Sequence, residues 1–321
     1  MSDDLLEKCM SRSNQAVKTH GEASQEVLDE SALSSDSGYF PIRDLSLKTG
    51  VNSVTLRAWE RRYGLLKPKR TAKGHRLYDQ TDVLRVEGIL RWVQQGVAVS
   101  KVRALLEQGA TFDGVLPSSE WLEWQESLIH AAKMFQADKI EQMYQQIFSQ
   151  YPAEIAIRDW LLPSFEQLGK GAFLAFSESV ILSCLMTRQS HFNVQKKSLP
   201  KVLITGLSSQ RILWCYMSAA ILLDKGVSCR VVPNIQHSQD WSSLVEAINP
   251  KSVLVFCENE FANKVTDFMQ QIQQWRRPVG VISPSFWLAT REAAVPEVAQ
   301  VSVYSELLEG VVDFLSKVSK S

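Results

Sequence analysis

The stretch IRDLSLKTGVNSVTLRAWERRYGLLKPKRTAKGHRLY, residues 42–78, decides the fold of the N-terminal part of this chain. Residues 44–49 carry Leu45 and Leu47 beside Ile42, which predicts a short amphipathic helix, and Gly50 stops it by tolerating a left-handed turn. Asn52 or Ser53 can cap a second helix. In that helix Val54, Leu56 and Trp59 fall on an inward face, while Thr55, Arg57, Arg61 and Arg62 are left facing out. Gly64 closes it, and Pro68 forces extended chain. Residues 70–78 then read as two short strands turned at Lys73-Gly74, with cationic side chains at the tip. Two short helices and a basic hairpin make a winged helix-turn-helix, all-α apart from a small β-wing. The major groove of DNA is about 12 Å wide and admits one helix, while a flanking hairpin can lie along the phosphates.

Charge points the same way. Residues 41–108 hold fourteen Lys/Arg against six Asp/Glu, whereas the whole chain has 35 of each and no net charge. Such segregation suits a phosphate-binding face, because each neutralised phosphate releases counterions. A solvated basic surface would not need its cations at the helix and turn positions that a groove reader uses.

Leu56-Arg-Ala-Trp-Glu-Arg-Arg-Tyr-Gly-Leu65, followed by Pro68, Arg70, Gly74-His-Arg-Leu-Tyr78 and Asp82-Val83, resembles the MerR family of transcription regulators. The Trp59-Glu-Arg-Arg-Tyr-Gly64 spelling is similar to the branch whose C-terminal half is a cobalamin-binding-like domain. The resemblance implies a recognition helix with Ser53, Thr55, Arg57, Arg61 and Arg62 at the DNA. It implies a wing with Arg70, Lys73, His75, Arg76 and Tyr78 at the DNA, and Trp59 and Leu66 joining wing to helix. It also implies a dimer on a promoter palindrome, bending or untwisting the duplex so that RNA polymerase fits differently.

The chain of 321 residues is long enough for two or three domains at roughly 100–200 residues each, and 45% hydrophobic content is ample for packed cores. Residues 1–38 are Ser-rich, acidic and poor in aromatics, so a disordered tail is expected, with neither the apolar core of a secretory signal nor the basic amphipathic face of a transit peptide. The DNA-binding domain is expected over residues 39–109. Its last part, residues 79–108, carries a helical stripe of Val83, Val86, Ile89, Leu90 and Val93, capped near Thr81 and Asp82 and broken by Gly96, then a second amphipathic helix. Gly109, Asp113-Gly114 and residues 117–119 then form a linker where many MerR-type proteins have a long dimerisation helix, so self-association must use other surfaces. Cys9, Cys184, Cys215, Cys229 and Cys257 show no close pairing, which fits reduced, buried thiols in a cytoplasmic protein. No run of about eighteen apolar residues occurs, so no membrane-crossing helix is expected.

Residues 118–196 predict a four-helix bundle. Its stripes are Trp121, Trp124, Leu128 and Phe135; Ile140, Met143, Tyr144 and Ile147; Ile155, Ile157, Leu161, Leu162 and Phe165, with a kink at Pro163; and residues 177–192 around Val180, Ile181, Cys184 and Leu185. Over residues 199–320 short apolar runs at 202–205, 227–232, 252–256, 279–282 and 301–303 alternate with amphipathic helices. That predicts a doubly wound, flavodoxin-like α/β domain whose ligands sit at the C-terminal strand ends.

A bundle followed by such a sheet is similar in order to cobalamin-binding modules, but the chemistry departs. These modules place an acid-x-His-x-x-Gly motif after the first strand. Here Arg211 stands at the His position and cannot ligate cobalt, and Trp214 stands where the backbone approach to the corrin needs Gly. The capping Trp and Glu-His pair are absent around Ala172-Phe173 and Glu178-Ser179, and the later pocket turns read Val232-Pro-Asn234 and Ile282-Ser-Pro-Ser285. No cofactor is therefore expected; the pocket near Ser208, Ser209, Arg211 and Trp214 is degenerate, and could hold at most a small anion at a helix start. The expected function is a DNA-binding transcription regulator whose partners are promoter DNA, RNA polymerase and further copies of itself. The competing readings are a cobalamin-dependent light-sensing regulator, which the missing His opposes, and a DNA-targeted enzyme. The enzyme finds no support in His130, His191 and His237, which are scattered, or in any cluster of acids.

Overall fold

Gly50 and Gly64 punctuate the N-terminal unit as their positions predict, each ending a helix in the left-handed region with φ of +67° and +60°. The computed structural model describes residues 27–28, 38–107, 119–194, 201–207, 212–235, 237, 239–257, 264–292, 298 and 300–318. The tail expected at residues 1–38 lies outside these residues apart from 27–28 and 38, and the linker expected at 109–119 lies outside them apart from Ser119, which begins a helix. The N-terminal elements are β1 (Val27–Leu28), β2 (Phe40–Pro41), α1 (Ile42–Thr49), α2 (Ser53–Tyr63), β3 (Lys69–Thr71), β4 (Arg76–Tyr78), α3 (Gln80–Gln94) and α4 (Val99–Glu107). Asn52, not Ser53, caps α2: its Oδ1 accepts from the N–H groups of Val54 and Thr55, both at 2.9 Å. Asp79 rather than Thr81 caps α3, in a reciprocal box with Asp82. The wing is the antiparallel pair β3–β4, to which β2 adds an antiparallel strand and β1 a parallel one, in the order β1-β3-β4-β2. Strands of two residues are too short to display an alternation, so no local pattern marks β1 or β2.

The next helices are α5 (Ser119–Lys133), α6 (Ala137–Gln150), α7 (Ala153–Ala156), α8 (Leu162–Leu168) and α9 (Ala172–Val194), with a π-wound turn at Ile157–Leu161 joining α7 to α8. The kink expected at Pro163 takes that form. Proline has no N–H to return to residue 159, and the wider turn just before it absorbs the gap. Phe135 does not extend the first stripe: it sits in the turn between α5 and α6 with φ +52° and is 54% exposed. The fourth helix also starts earlier than residue 177, at Ala172.

The C-terminal elements are β5 (Val202–Gly206), α10 (Ile212–Asp224), β6 (Cys229–Val232), α11 (Gln239–Ile248), β7 (Ser252–Phe256), α12 (Val265–Gln273), β8 (Val279–Ile282), α13 (Pro284–Glu292), β9 (Val301–Tyr304) and α14 (Leu307–Val318). All strand pairs are parallel, in the order β6-β5-β7-β8-β9. Counted from the first strand of this sheet, that is the 2-1-3-4-5 order of a flavodoxin-like fold. Alternate residues serve opposite faces. Val202, Ile204, Leu254 and Phe256 pack with α10 and α14, whereas Leu203, Val253, Val255 and Val281 pack with Trp241, Phe268 and Phe286 of α11, α12 and α13. At Gly280 α14 lies close to the sheet, since a Cβ there would stand 2.8 Å from Phe314 Cδ2. One apolar cluster runs without interruption from Leu45 and Trp59 through Ile147 and Trp160 to Leu254 of the sheet.

Candidate nucleic-acid interface

Helix α2 has three environments around its circumference. Leu56 and Trp59 are fully buried in the small N-terminal core. A second side faces α6, where Trp59 Nε1 donates to the Gln150 carbonyl at 2.8 Å and Tyr63 Oη donates to Gln150 Oε1 at 2.5 Å. The third side is open: Val54, Arg61 and Arg62 are exposed, Ser53 and Arg57 half-buried. Val54, Arg57 and Arg61 follow at three- and four-residue steps, which places them on one stripe.

Two expectations for this helix are corrected by its rotation. Val54, expected inward, is 51% exposed, and Thr55, expected at the DNA, is completely buried. Thr55 lies one turn before Trp59, which reaches α6, and its hydroxyl has no hydrogen-bond partner among the described residues. Apolar periodicity marks the face that Leu56 and Trp59 bury, but says nothing of a second face buried against a remote helix.

On the wing, Glu60 of α2 reaches two strands at once. Arg70 Nη2 donates to Glu60 Oε1 at 3.1 Å and Arg76 Nε donates to Glu60 Oε2 at 2.5 Å. The Glu60 hydrogen bond holds the Arg76 guanidinium above its already high ordinary pKa. Arg70 and Arg76 are therefore tied to a carboxylate and fasten the wing to α2. Tyr78 is corrected as well: its side chain is fully buried in the core, and burial pushes its phenol well above the ordinary range. Leu77 and Tyr78, on opposite faces of the strand, are both buried, with β2 and α1 packed against β4. Lys73 and His75 are exposed at the hairpin tip, where Gly74 has φ +82° and donates its N–H to the Thr71 carbonyl at 2.8 Å. Arg43, Lys48 and Lys67 are exposed cations of the same unit. The structure thus leaves Arg61, Lys73 and His75 exposed and Arg57 half-buried. Glu60 is one of only six acids in this basic segment, and its position between helix cations does not reveal that it holds both wing strands.

Arg62 points elsewhere. It lines a cleft between α6 and α9 of about 850 Å³, together with Asp138, Glu141, Ser183 and Cys184. Burial lifts the Cys184 thiol to about 11, so it is a thiol and not a nucleophile at neutral pH.

In the C-terminal half, Ser208, Ser209 and Arg211, expected to line a degenerate pocket, lie outside the described residues. Trp214 stands in the first turn of α10, half-buried against the main core. β5, β7 and β8 lead into Leu207, Cys257 and Ser283, and His130, His191 and His237 are all exposed. Among the described residues no group of three or more His, Cys, Asp or Glu is placed to hold a metal, and no helix is long and apolar enough to cross a membrane.

Residues 40–109 match the family described as "MerR HTH family regulatory protein". Across 253 residues, 75% of this chain and 99% of the relative, the chain is 28% identical to the HTH-type transcriptional regulator MlrA of Salmonella typhimurium. It is 31% identical over 133 residues to the HTH-type transcriptional repressor CarH of Myxococcus xanthus, covering 38% of this chain and 44% of that one. Among solved structures, the methanol:cobalamin methyltransferase complex MtaBC of Methanosarcina barkeri aligns with a TM-score of 0.33 and 13% identity, over 68% of this chain and 93% of its own.

Proposed function

Because residues 40–109 are a MerR-type helix-turn-helix domain in a chain similar to transcription regulators along most of its length, we propose that it binds promoter DNA in the cytoplasm as a dimer or higher oligomer. Arg57 and Arg61 enter the major groove with Ser53 at the helix start, and Lys73 and His75 follow the phosphates beside it. The observation that carries this is the open stripe of Val54, Arg57 and Arg61, beside a hairpin that Glu60 fixes through Arg70 and Arg76. Such a helix reads base edges, while a fixed hairpin sets its register on the backbone. Distortion of the bound duplex then alters how RNA polymerase engages the promoter, and the chain itself carries out no chemical reaction. Selection of bound sequences from a randomised duplex pool tests this. A palindrome with two recognisable half-sites is expected, and recovery of no sequence preference would refute it.

We infer that the C-terminal half holds no corrin. Trp214, half-buried against the core, stands where the resemblance to cobalamin modules calls for glycine, and the sequence has no histidine directly after β5, β7 or β8. The C-terminal half is thus proposed to act without cobalamin. Protein incubated with hydroxo-, methyl- or adenosylcobalamin and then desalted is expected to stay colourless, with DNA affinity unchanged by light; a stoichiometric red complex would overturn this.

A further inference from the structure

Asp224, the last residue of α10, is 3% exposed and belongs to no site described so far. Its Oδ1 accepts from Asn52 Nδ2 at 3.1 Å and from Arg188 Nη2 of α9 at 2.5 Å. Its Oδ2 accepts from the backbone N–H of Ala153, the first residue of α7, at 2.7 Å. One buried carboxylate thus touches the cap of the recognition helix, two bundle helices and the α/β domain. A buried carboxylate must be matched by donors, and here each donor comes from a different part of the chain, so each contact fixes a relative position.

Asn52 makes the link directional. Its Oδ1 caps α2 while its Nδ2 reaches Asp224, and turning the amide over would point NH₂ at two N–H donors. The adjoining turns touch as well: a Cβ on Gly50 would lie 2.8 Å from Lys225 Cδ, and one on Gly226 would lie 3.1 Å from Leu47 Cδ2. Lys225 pairs with Glu154 at 3.8 Å. Further along, Arg158 Nη2 donates to the Gln94 carbonyl at 3.1 Å and the Val99 N–H to Tyr151 Oη at 3.3 Å. A DNA-binding domain held only by a tether would need none of these contacts.

We propose that Asp224 is a positioning residue for DNA recognition. By gripping Asn52 it fixes the orientation of α2 relative to the C-terminal half, and so sets the half-site spacing that the assembled regulator accepts. The inference rests on the proposed dimer being joined through that half. Each base pair added between half-sites rotates one against the other by about 35°, so a rigidly held helix tolerates few spacings and a tethered helix many.

The test uses full-length protein and three kinds of duplex: a single half-site, the selected operator, and the operator with its spacer changed by one or two base pairs. Asn52→Asp keeps a good N-cap but sets a carboxylate against Asp224. Asp224→Asn keeps the shape of the hub and removes its charge. Wild-type protein should lose about 100-fold in affinity when the spacer changes by two base pairs, the scale on which simultaneous engagement is lost. Both variants should lose less than about tenfold, with half-site affinity within about threefold of wild type, and with faster amide exchange confined to residues 42–64. A wild-type spacing profile in both variants overturns the role of Asp224 while leaving the dimer reading intact. Absence of any gain from a second half-site in the wild type overturns the dimer reading, and this inference with it.

Discussion

Arg57 and Arg61 stand one turn apart on the open side of α2, and a guanidinium there can pair with two acceptors on a guanine edge. Arg57→Ala is expected to weaken binding to the selected operator by roughly 1–3 kcal/mol and to flatten preference at one or two base positions. Fluorescence anisotropy with a panel of single-base operator variants measures this, and an equal loss on every sequence would contradict base reading. Lys73→Ala at the hairpin tip should instead lower affinity on all sequences and reduce the slope of log affinity against log salt by about one. Thr55 separates contact with DNA from contact with the protein's interior. Its buried hydroxyl has no partner among the described residues, so Thr55→Val removes a desolvated group without changing shape. Stability should stay level or rise by up to about 1 kcal/mol in urea unfolding, with operator affinity unchanged. A large loss of affinity would place Thr55 at the DNA after all.

At the scale of elements, the wing depends on α2 more than on its own hairpin. β3 and β4 have three residues each, and isolated two-stranded hairpins are marginal in water. Glu60 compensates by binding Arg70 and Arg76 together, with its side chain only 12% exposed and the arginines at 31% and 23%. Partial exposure of the arginines screens the pairs, so Glu60→Gln is expected to cost about 1–3 kcal/mol, between the values for surface and buried pairs. Amide exchange should quicken in residues 69–78 before it does in α3. The same variant frees two cations, so non-specific affinity should rise while operator preference falls. Unchanged exchange in the wing would show that β2 and the core around Tyr78 hold it unaided.

In the whole molecule the DNA-binding unit is continuous with the helical bundle and the α/β domain, through the α2–α6 contact, the Asp224 hub and a shared apolar cluster. A fragment of residues 39–109 should therefore be monomeric by light scattering, less stable than the same residues in the full chain, and weak on the operator. A dimeric fragment that binds at full affinity would refute assembly through the C-terminal half. Local chemistry determined much of this protein. Glycines at 50 and 64, the helical stripe of α3 and five short apolar runs were legible because turns, helices and strands repeat over two to four residues, within reach of neighbouring side chains. The basic excess and the tryptophan-centred motif likewise mark a DNA reader in the sequence itself. Only the tertiary structure decided which residues of that reader are open. Thr55 and Tyr78 are small or amphipathic enough to sit on either side, and their burial is set by the elements packed around them, whose approach no local period records. Asn52 and Asp224 are 172 positions apart, and nothing in the sequence of either shows that one buried carboxylate will hold the other's side chain. Contacts of that kind are fixed by the closing of the whole core, where a polar group finds its partner only after the apolar surfaces around it have met.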